Sequence, residues 1–278
     1  MVHSLRTKAR PAWHWQTSAA LCSLAIVLLL IPDTISAEER TLASTASPIR
    51  AFQPGETLTY DISWSKIVTA GTAVMEVKEE TLKNGRAALK FTVTGRSAGL
   101  VDKVFPVNDT VQSVFDPLIM ESLSYSLKQS HGRRKVRREL FFDHARKKVV
   151  STLNDDAPEN LDIPDQVQDA LSSLYYLRTF EDFTIGKIIT VNVFDSGKNW
   201  SIEVYTLGRE KVKTPAGEFT TIKVKTHPKY EGVFMNKGEV FIWLTDDGRK
   251  VPVIMKSTLT VGSFVFTLTE LKPRDTVP

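Results

Sequence analysis

From Thr57 onward the chain alternates apolar and polar residues with a period of two, and this pattern constrains the fold more than any other feature. Leu58, Tyr60, Ile62 and Trp64 alternate with Thr57, Thr59, Asp61 and Ser63, as in an extended strand with one face buried and the other wet. The alternation returns at Leu89, Phe91 and Val93, and at Leu123, Tyr125 and Leu127 against Ser122, Ser124 and Ser126. It continues at Ile202 and Val204, at Ile222 and Val224, and through 240–244, 251–259 and 264–268. Turn chemistry lies between these runs. Asn84-Gly85 fits a two-residue type I′ hairpin, whose central positions both need positive φ. Asp195-Ser196-Gly197-Lys198, Pro215-Ala216-Gly217-Glu218 and Asp246-Asp247-Gly248 read as further turns. Some eleven or twelve strands, about the most an open twisted sheet carries, should curl into a barrel or half-barrel. The expected fold class is therefore all-β, mainly antiparallel.

One segment departs from the pattern. Val167, Ala170, Leu171, Leu174 and Leu177 fall at helical spacing after Pro164-Asp165, with Gln168 three residues past Asp165. That spacing predicts a capped α-helix near 166–178, covering or plugging one mouth of the curled sheet.

Ahead of the strands, Arg6, Lys8 and Arg10 precede an apolar run from Ala19 to Ile31, the layout of an export signal. The run is shorter than the roughly 20 residues of a spanning helix, and Ile35-Ser36-Ala37 offers a cleavage site. The expected organisation is a cleavable signal peptide over 1–37, a flexible leader over 38–50, a β domain over 51–272 and a tail over 273–278. Cys22, the only cysteine, leaves with the signal, so the mature chain has no disulfide, thiol nucleophile or cysteine-based metal site. Loss of Arg6, Lys8, Arg10 and Asp33 lowers the formal charge from +4 to +2. Such balance gives no case for a nucleic-acid partner.

No catalytic constellation emerges. His131, His144 and His227 are far apart in sequence, and Ser172-Ser173 lie inside the expected helix rather than at a nucleophile elbow. Asp155-Asp156 and Asp246-Asp247 read as turn residues, because sequence neighbours do not face each other across a scissile bond. No metal site, phosphate-cradling loop or dinucleotide fingerprint is present, so no cofactor is expected.

Two features bear on binding. The basic run Arg133, Arg134, Lys135, Arg137 and Arg138 is echoed by Arg146, Lys147 and Lys148. If both lie on one hairpin, they would form a positive patch for peripheral contact with an anionic envelope surface, or simply a solvated edge protected from aggregation. Trp64, Phe91, Tyr125, Trp200 and Trp243 are candidate lining residues for a lipid-like ligand inside the curl, and core packing accounts for them equally well. The alternative class is a structural or assembly module that binds another envelope protein.

Several blocks together resemble the DUF3108 family of exported Gram-negative bacterial proteins. They are Phe52-Gln53-Pro54-Gly55-Glu56 with Leu58, Tyr60 and Trp64, then Ala70-Gly71, then Asp165 and the run from Asp169 to Arg178. Thr214-Pro215-Ala216-Gly217 with Phe219, and Ile242-Trp243-Leu244-Thr245-Asp246-Asp247 with Pro252-Val253, complete the set. The resemblance covers most of the mature chain. It implies a periplasmic or envelope location and a β-rich fold, and the family brings no established activity. Among its polar residues, Asp165, Asp169, Arg178 and Asp246 would support an enzyme only if they shared one cleft; a buried Asp-to-Arg pair pinning the helix to the sheet is the competing account.

Overall fold

The structure, a computed structural model, describes residues 49–65, 68–230, 233–234, 239–259 and 262–272. The expected signal peptide, nearly all of the leader and the C-terminal tail lie outside the described residues. Within them the chain forms strands β1 (Thr57–Trp64), β2 (Val68–Thr81) and β3 (Ala87–Ser97), then the short helix α1 (Gly99–Val104). Five strands follow: β4 (Val107–Asp116), β5 (Glu121–His131), β6 (Arg134–Asp143), β7 (Lys148–Leu153) and β8 (Glu159–Asp162). Next come β9 (Val167–Gln168), helix α2 (Ser172–Arg178), β10 (Ile188–Asp195), β11 (Lys198–Thr214) and β12 (Gly217–Tyr230). The last four are β13 (Val233–Phe234), β14 (Glu239–Thr245), β15 (Pro252–Leu259) and β16 (Gly262–Lys272).

All strands belong to one sheet. Its order runs β8 through β1 in reverse, then β16, β15, β14, β12, β11, β10 and β9, with β13 paired to β12. Every pairing is antiparallel except β9 with β10. The two ends of this order, β8 and β9, are joined by only four residues, 163–166, so the sheet must curl until its edges nearly meet. Side chains complete the seam: Asn199 Nδ2 donates to Asp162 O (2.7 Å) and Asn192 Nδ2 to Asp165 O (3.0 Å). The result is the curled antiparallel architecture that the alternation implies.

Three local expectations need correction. Among the described residues the sheet has sixteen strands rather than eleven or twelve; three of the additional ones, β8, β9 and β13, are too short for alternation to show. The Asn84-Gly85 hairpin is wider than a two-residue turn. Leu82 N–H donates to Arg86 O (2.9 Å), and in that loop only Gly85 has a positive φ, of 81°. By contrast Ser196 (φ 52°) and Gly197 (φ 75°) form the doubly left-handed turn their sequence requires.

The third correction concerns the helix, which spans Ser172–Arg178 rather than 166–178. Gln166 is left-handed (φ 52°) and Val167–Gln168 is taken up by pairing with β10, so the helix cannot start earlier. Asp169, not Asp165, organises its entry: its Oδ1 accepts the N–H groups of Leu171 (2.7 Å) and Ser172 (2.8 Å). Helix α1 had no sequence signal, since none of its residues is buried. Gly71 explains one of the family blocks: a Cβ there would lie 2.0 Å from the backbone oxygen of Arg96 on the neighbouring strand, so β2 and β3 approach closely only with glycine.

Candidate functional site

The two ends of the curl are built differently. At one end, Glu56 and the β14–β15 turn meet α2 through Arg178, and Ser113 on β4 and Ser122 on β5 meet its entry through Asp169. Tyr175 is fully buried and stacks on Phe91 with centroids 3.8 Å apart, while Phe52 meets both rings edge-on at 5.1 and 5.3 Å. Arg178, only 1% exposed, donates to Glu56 Oε1 (2.7 Å) and Oε2 (2.8 Å), to Ala51 O (2.7 Å) and to Arg249 O (3.2 Å). Its guanidinium also lies 5.3 Å from the Phe52 and Tyr175 ring centroids. Burial alone would lower the Arg178 pKa, but hydrogen bonding and the charge of Glu56 outweigh it and raise the value.

Asp169 forms a second closed cluster. Besides capping α2, its Oδ2 accepts the hydroxyl hydrogens of Ser113 (2.5 Å) and Ser122. Burial pushes its carboxyl above the ordinary range, against the opposing pull of those hydrogen bonds. Helix α2 is thus tied to β4 and β5 through Asp169 and to the approach to β1 through Arg178. It is an internal plug held by Asp169 and Arg178, while the buried Tyr175 hydroxyl on the same helix has no hydrogen-bond partner among the described residues.

At the opposite end, the inward rows are incompletely covered. Register places Trp64, Phe264, Ser257 and Val240 in one row and Ile62, Phe266 and Met255 in the next. Trp64 contacts Phe264 edge-on at 4.6 Å. Trp64 is half-buried, as are Val93, Leu127, Val240, Met255, Phe264 and Phe266. The inward rows of β3 to β6 mix apolar and polar groups, with Val93, Val111, Leu127 and Arg138 aligned in one of them. His131 Nε2 lies 2.8 Å from Asp109 Oδ2. Arg138, paired by register with Leu127, reaches Asp195 only at 4.0 Å, and its Nε is buried with no hydrogen-bond partner. One mouth is therefore plugged; the other combines half-buried apolar residues with polar and charged ones.

Four of the five proposed lining residues face inward, with different surroundings. Phe91 and Tyr125 are core residues at the plugged end, and Trp200 is 5% exposed with its indole N–H donated to Asp195 O (3.0 Å). Trp64 lies in the half-buried rows of the open mouth, and Trp200 adjoins the Asp195 that Arg138 approaches. Trp243 is on the outer face, opposite Lys223 and Ile254, where it donates to Glu210 (2.5 Å) beneath the Lys223 ammonium. It lines a shallow outer groove of about 340 Å³ with Val212, Ile254 and Val265. The error arose because Ile242 and Leu244, its buried neighbours, carry the inward phase, which makes Trp243 outward by alternation.

The basic clusters do share the β6–β7 hairpin, but at opposite ends of β6, about 30 Å apart at the usual rise per residue. They do not merge into one patch. Arg146 pairs with Asp143 (2.8 Å), Lys147 with Asp165 (2.8 Å) and Lys148 with Asp162 (2.6 Å); Arg137 lies 3.9 Å from Asp155 and Arg138 faces inward. Arg133, Arg134 and Lys135 have no carboxylate partner among the described residues. Nor do Asp165, Asp169, Arg178 and Asp246 share a cleft, since Asp246 is paired with Arg209 on the surface (2.8 Å). The acid that pins Arg178 is Glu56, from the Phe52–Glu56 block. Among the described residues no group of three or more histidines, cysteines and acids is placed to hold a metal, and no helix is long and apolar enough to cross a membrane.

These features define a barrel-like antiparallel β domain with an internal helix. The model of DUF3108, a family of proteins of unknown function, matches residues 59–269, and the chain belongs to that family. Among solved structures, it is similar to a β-barrel-like protein of the domain of unknown function DUF1849 from Brucella abortus. Identity is 13% and the TM-score 0.56, over 79% of this chain and 98% of that one, a likeness that shows the fold alone. A protein with a YmcC-like fold from Bacteroides fragilis matches at 13% identity and a TM-score of 0.32, over 79% and 96% of the two chains; so distant a likeness supports no argument. No sequence among curated proteins matches.

Proposed function

We propose that this is an exported envelope protein that binds an amphiphilic, lipid-like molecule in the open mouth of its curled sheet. The observation that carries the reading is the mixed lining of that mouth. Trp64, Phe264 and Phe266 offer half-buried apolar surface to a hydrocarbon chain, while Arg138 and His131 point inward from β6 and β5, where a head group would sit. Plugging by α2 leaves one route of entry. The Arg6-to-Ala37 layout at the N-terminus supports export, and with it a periplasmic location.

Native mass spectrometry of protein purified without detergent from the periplasm of a Gram-negative host, followed by organic extraction, tests the reading. The expected result is a stoichiometric amphiphile that is lost when Phe264→Glu places a charge on the apolar wall. A clean unliganded mass across preparations would contradict it and would shift attention to the alternative, an assembly module found by cross-linking to an envelope protein.

A further inference from the structure

The rim of the open mouth has an unusual outer surface. On α1 and just after it, Leu100 is 75% exposed, Val104 85% and Phe105 52%, three large apolar side chains on one short projection. The β5–β6 turn packs directly beside it: Gly132 N–H donates to Pro106 O (2.8 Å), and the Phe105 ring centroid lies 6.1 Å from that of His131. This same turn carries Arg133 and Arg134, followed by Lys135.

The cations continue along the adjoining outer wall. Register aligns Arg96 with Asn108, Ser130 and Lys135 in one outward row, and Lys128 with Arg137 in the next. Arg96, Lys128, Arg133, Arg134 and Lys135 have no carboxylate partner among the described residues, in contrast to the cations at the other end of β6. Of the nearby acids, Asp109 faces His131 inside the mouth, Asp155 lies by Arg137, and Asp102, on α1 itself, accepts the Ser97 hydroxyl (2.6 Å) and is followed by Lys103 on the same helix.

From this arrangement we infer that the α1 projection and the β5–β6 turn form a docking surface for an anionic phospholipid bilayer. Leu100, Val104 and Phe105 enter the interface, and the unpaired cations behind them meet lipid phosphates. An exposed apolar cluster ringed by positive charge has its complement in a negatively charged bilayer, which offers both hydrocarbon and phosphate at one depth. Docking in this orientation turns the open mouth toward the membrane. The surface is separate from the mouth's interior and does not depend on a ligand being bound there.

Vesicle co-sedimentation tests the inference, using the chain expressed in full in a Gram-negative host and purified from its envelope. Phosphatidylcholine vesicles are compared with phosphatidylcholine vesicles doped with phosphatidylglycerol. Binding is expected to the doped vesicles and to weaken with added salt. Arg133→Gln with Arg134→Gln should weaken partitioning by about fivefold per cation removed, and Leu100→Asp with Val104→Asp by roughly tenfold or more. Because these side chains are exposed, the thermal unfolding of both variants should match the parent, so that lost binding reports the surface rather than the fold. No binding, equal binding to the two vesicle types, or binding that survives both pairs of substitutions would overturn the proposal.

Discussion

The plugged end and the open end of the curl use the same kinds of residue to opposite effect. Around α2, an arginine and two acids are buried with hydrogen-bond partners inside the protein, and three aromatic rings pack on one another, while the buried Tyr175 hydroxyl has no hydrogen-bond partner among the described residues. At the other mouth, aromatic side chains are left half-buried and Arg138 is left with an unpartnered Nε. Satisfied polar networks rigidify a core, and what sets the open mouth apart is its half-buried aromatic surface, since single unpartnered polar atoms occur at both ends. The difference teaches that one sheet can be a packed core at one end and a receptive surface at the other.

The largest effect should come from breaking the plug. Glu56→Ala leaves the Arg178 guanidinium buried without its carboxylate, and should cost about 3–5 kcal/mol in urea unfolding. Replacing both partners, Glu56→Leu with Arg178→Met, should recover much of that loss, because the desolvation of two charges disappears along with their attraction. A double variant no more stable than Glu56→Ala would show that the ion pair itself, rather than an unpaired charge, governs this end.

Asp169→Ala should follow, at about 2–4 kcal/mol, since Ser113, Ser122 and two backbone N–H groups lose their acceptor. Its titration sharpens the picture. A folded pKa raised by burial means that protonation favours the folded state. The stabilising contribution is therefore complete below the ordinary carboxylate range and is lost as pH rises through the raised value. Asp169→Asn, which cannot titrate, should lose ground to the parent as pH falls from neutral to about 4. Urea midpoints that move in parallel would place the Asp169 pKa at its ordinary value.

Smaller effects belong to the open end and the outer face. Trp64→Ser removes half-buried surface and should cost about 1 kcal/mol, while Trp243→Ser, on the outer groove, should cost less than about 1 kcal/mol. Isothermal titration with a long-chain fatty acid as probe should separate the two: Trp64→Ser weakens binding and Trp243→Ser does not. The reverse result would move the ligand site to the outer groove.

Much of this organisation was legible in the sequence because period-two alternation is a direct record of a face turned inward. Leu58, Tyr60 and Ile62 are buried where the pattern puts them, and the Ser196-Gly197 turn has the geometry its residues demand. The helix boundary was not legible, because Gln166 and the pairing of Val167–Gln168 interrupt a spacing that looks helical on paper. Glu56 escaped notice as the partner of Arg178 because the two are 122 positions apart, and no local pattern records such a meeting. The projection at Leu100 and Val104 was invisible for a different reason. Its apolar residues face solvent, and sequence patterns report burial only when apolar residues are inside.

The distinction between a solid end and a receptive end can be tested directly by photo-cross-linking with a fatty acid that carries a diazirine near its methyl terminus, followed by peptide mapping. Labelling is expected on the apolar wall, at Trp64, Phe264 and Phe266. Labels confined to α2 or to the Trp243 groove would contradict the account, because the open mouth would then not be where hydrocarbon binds.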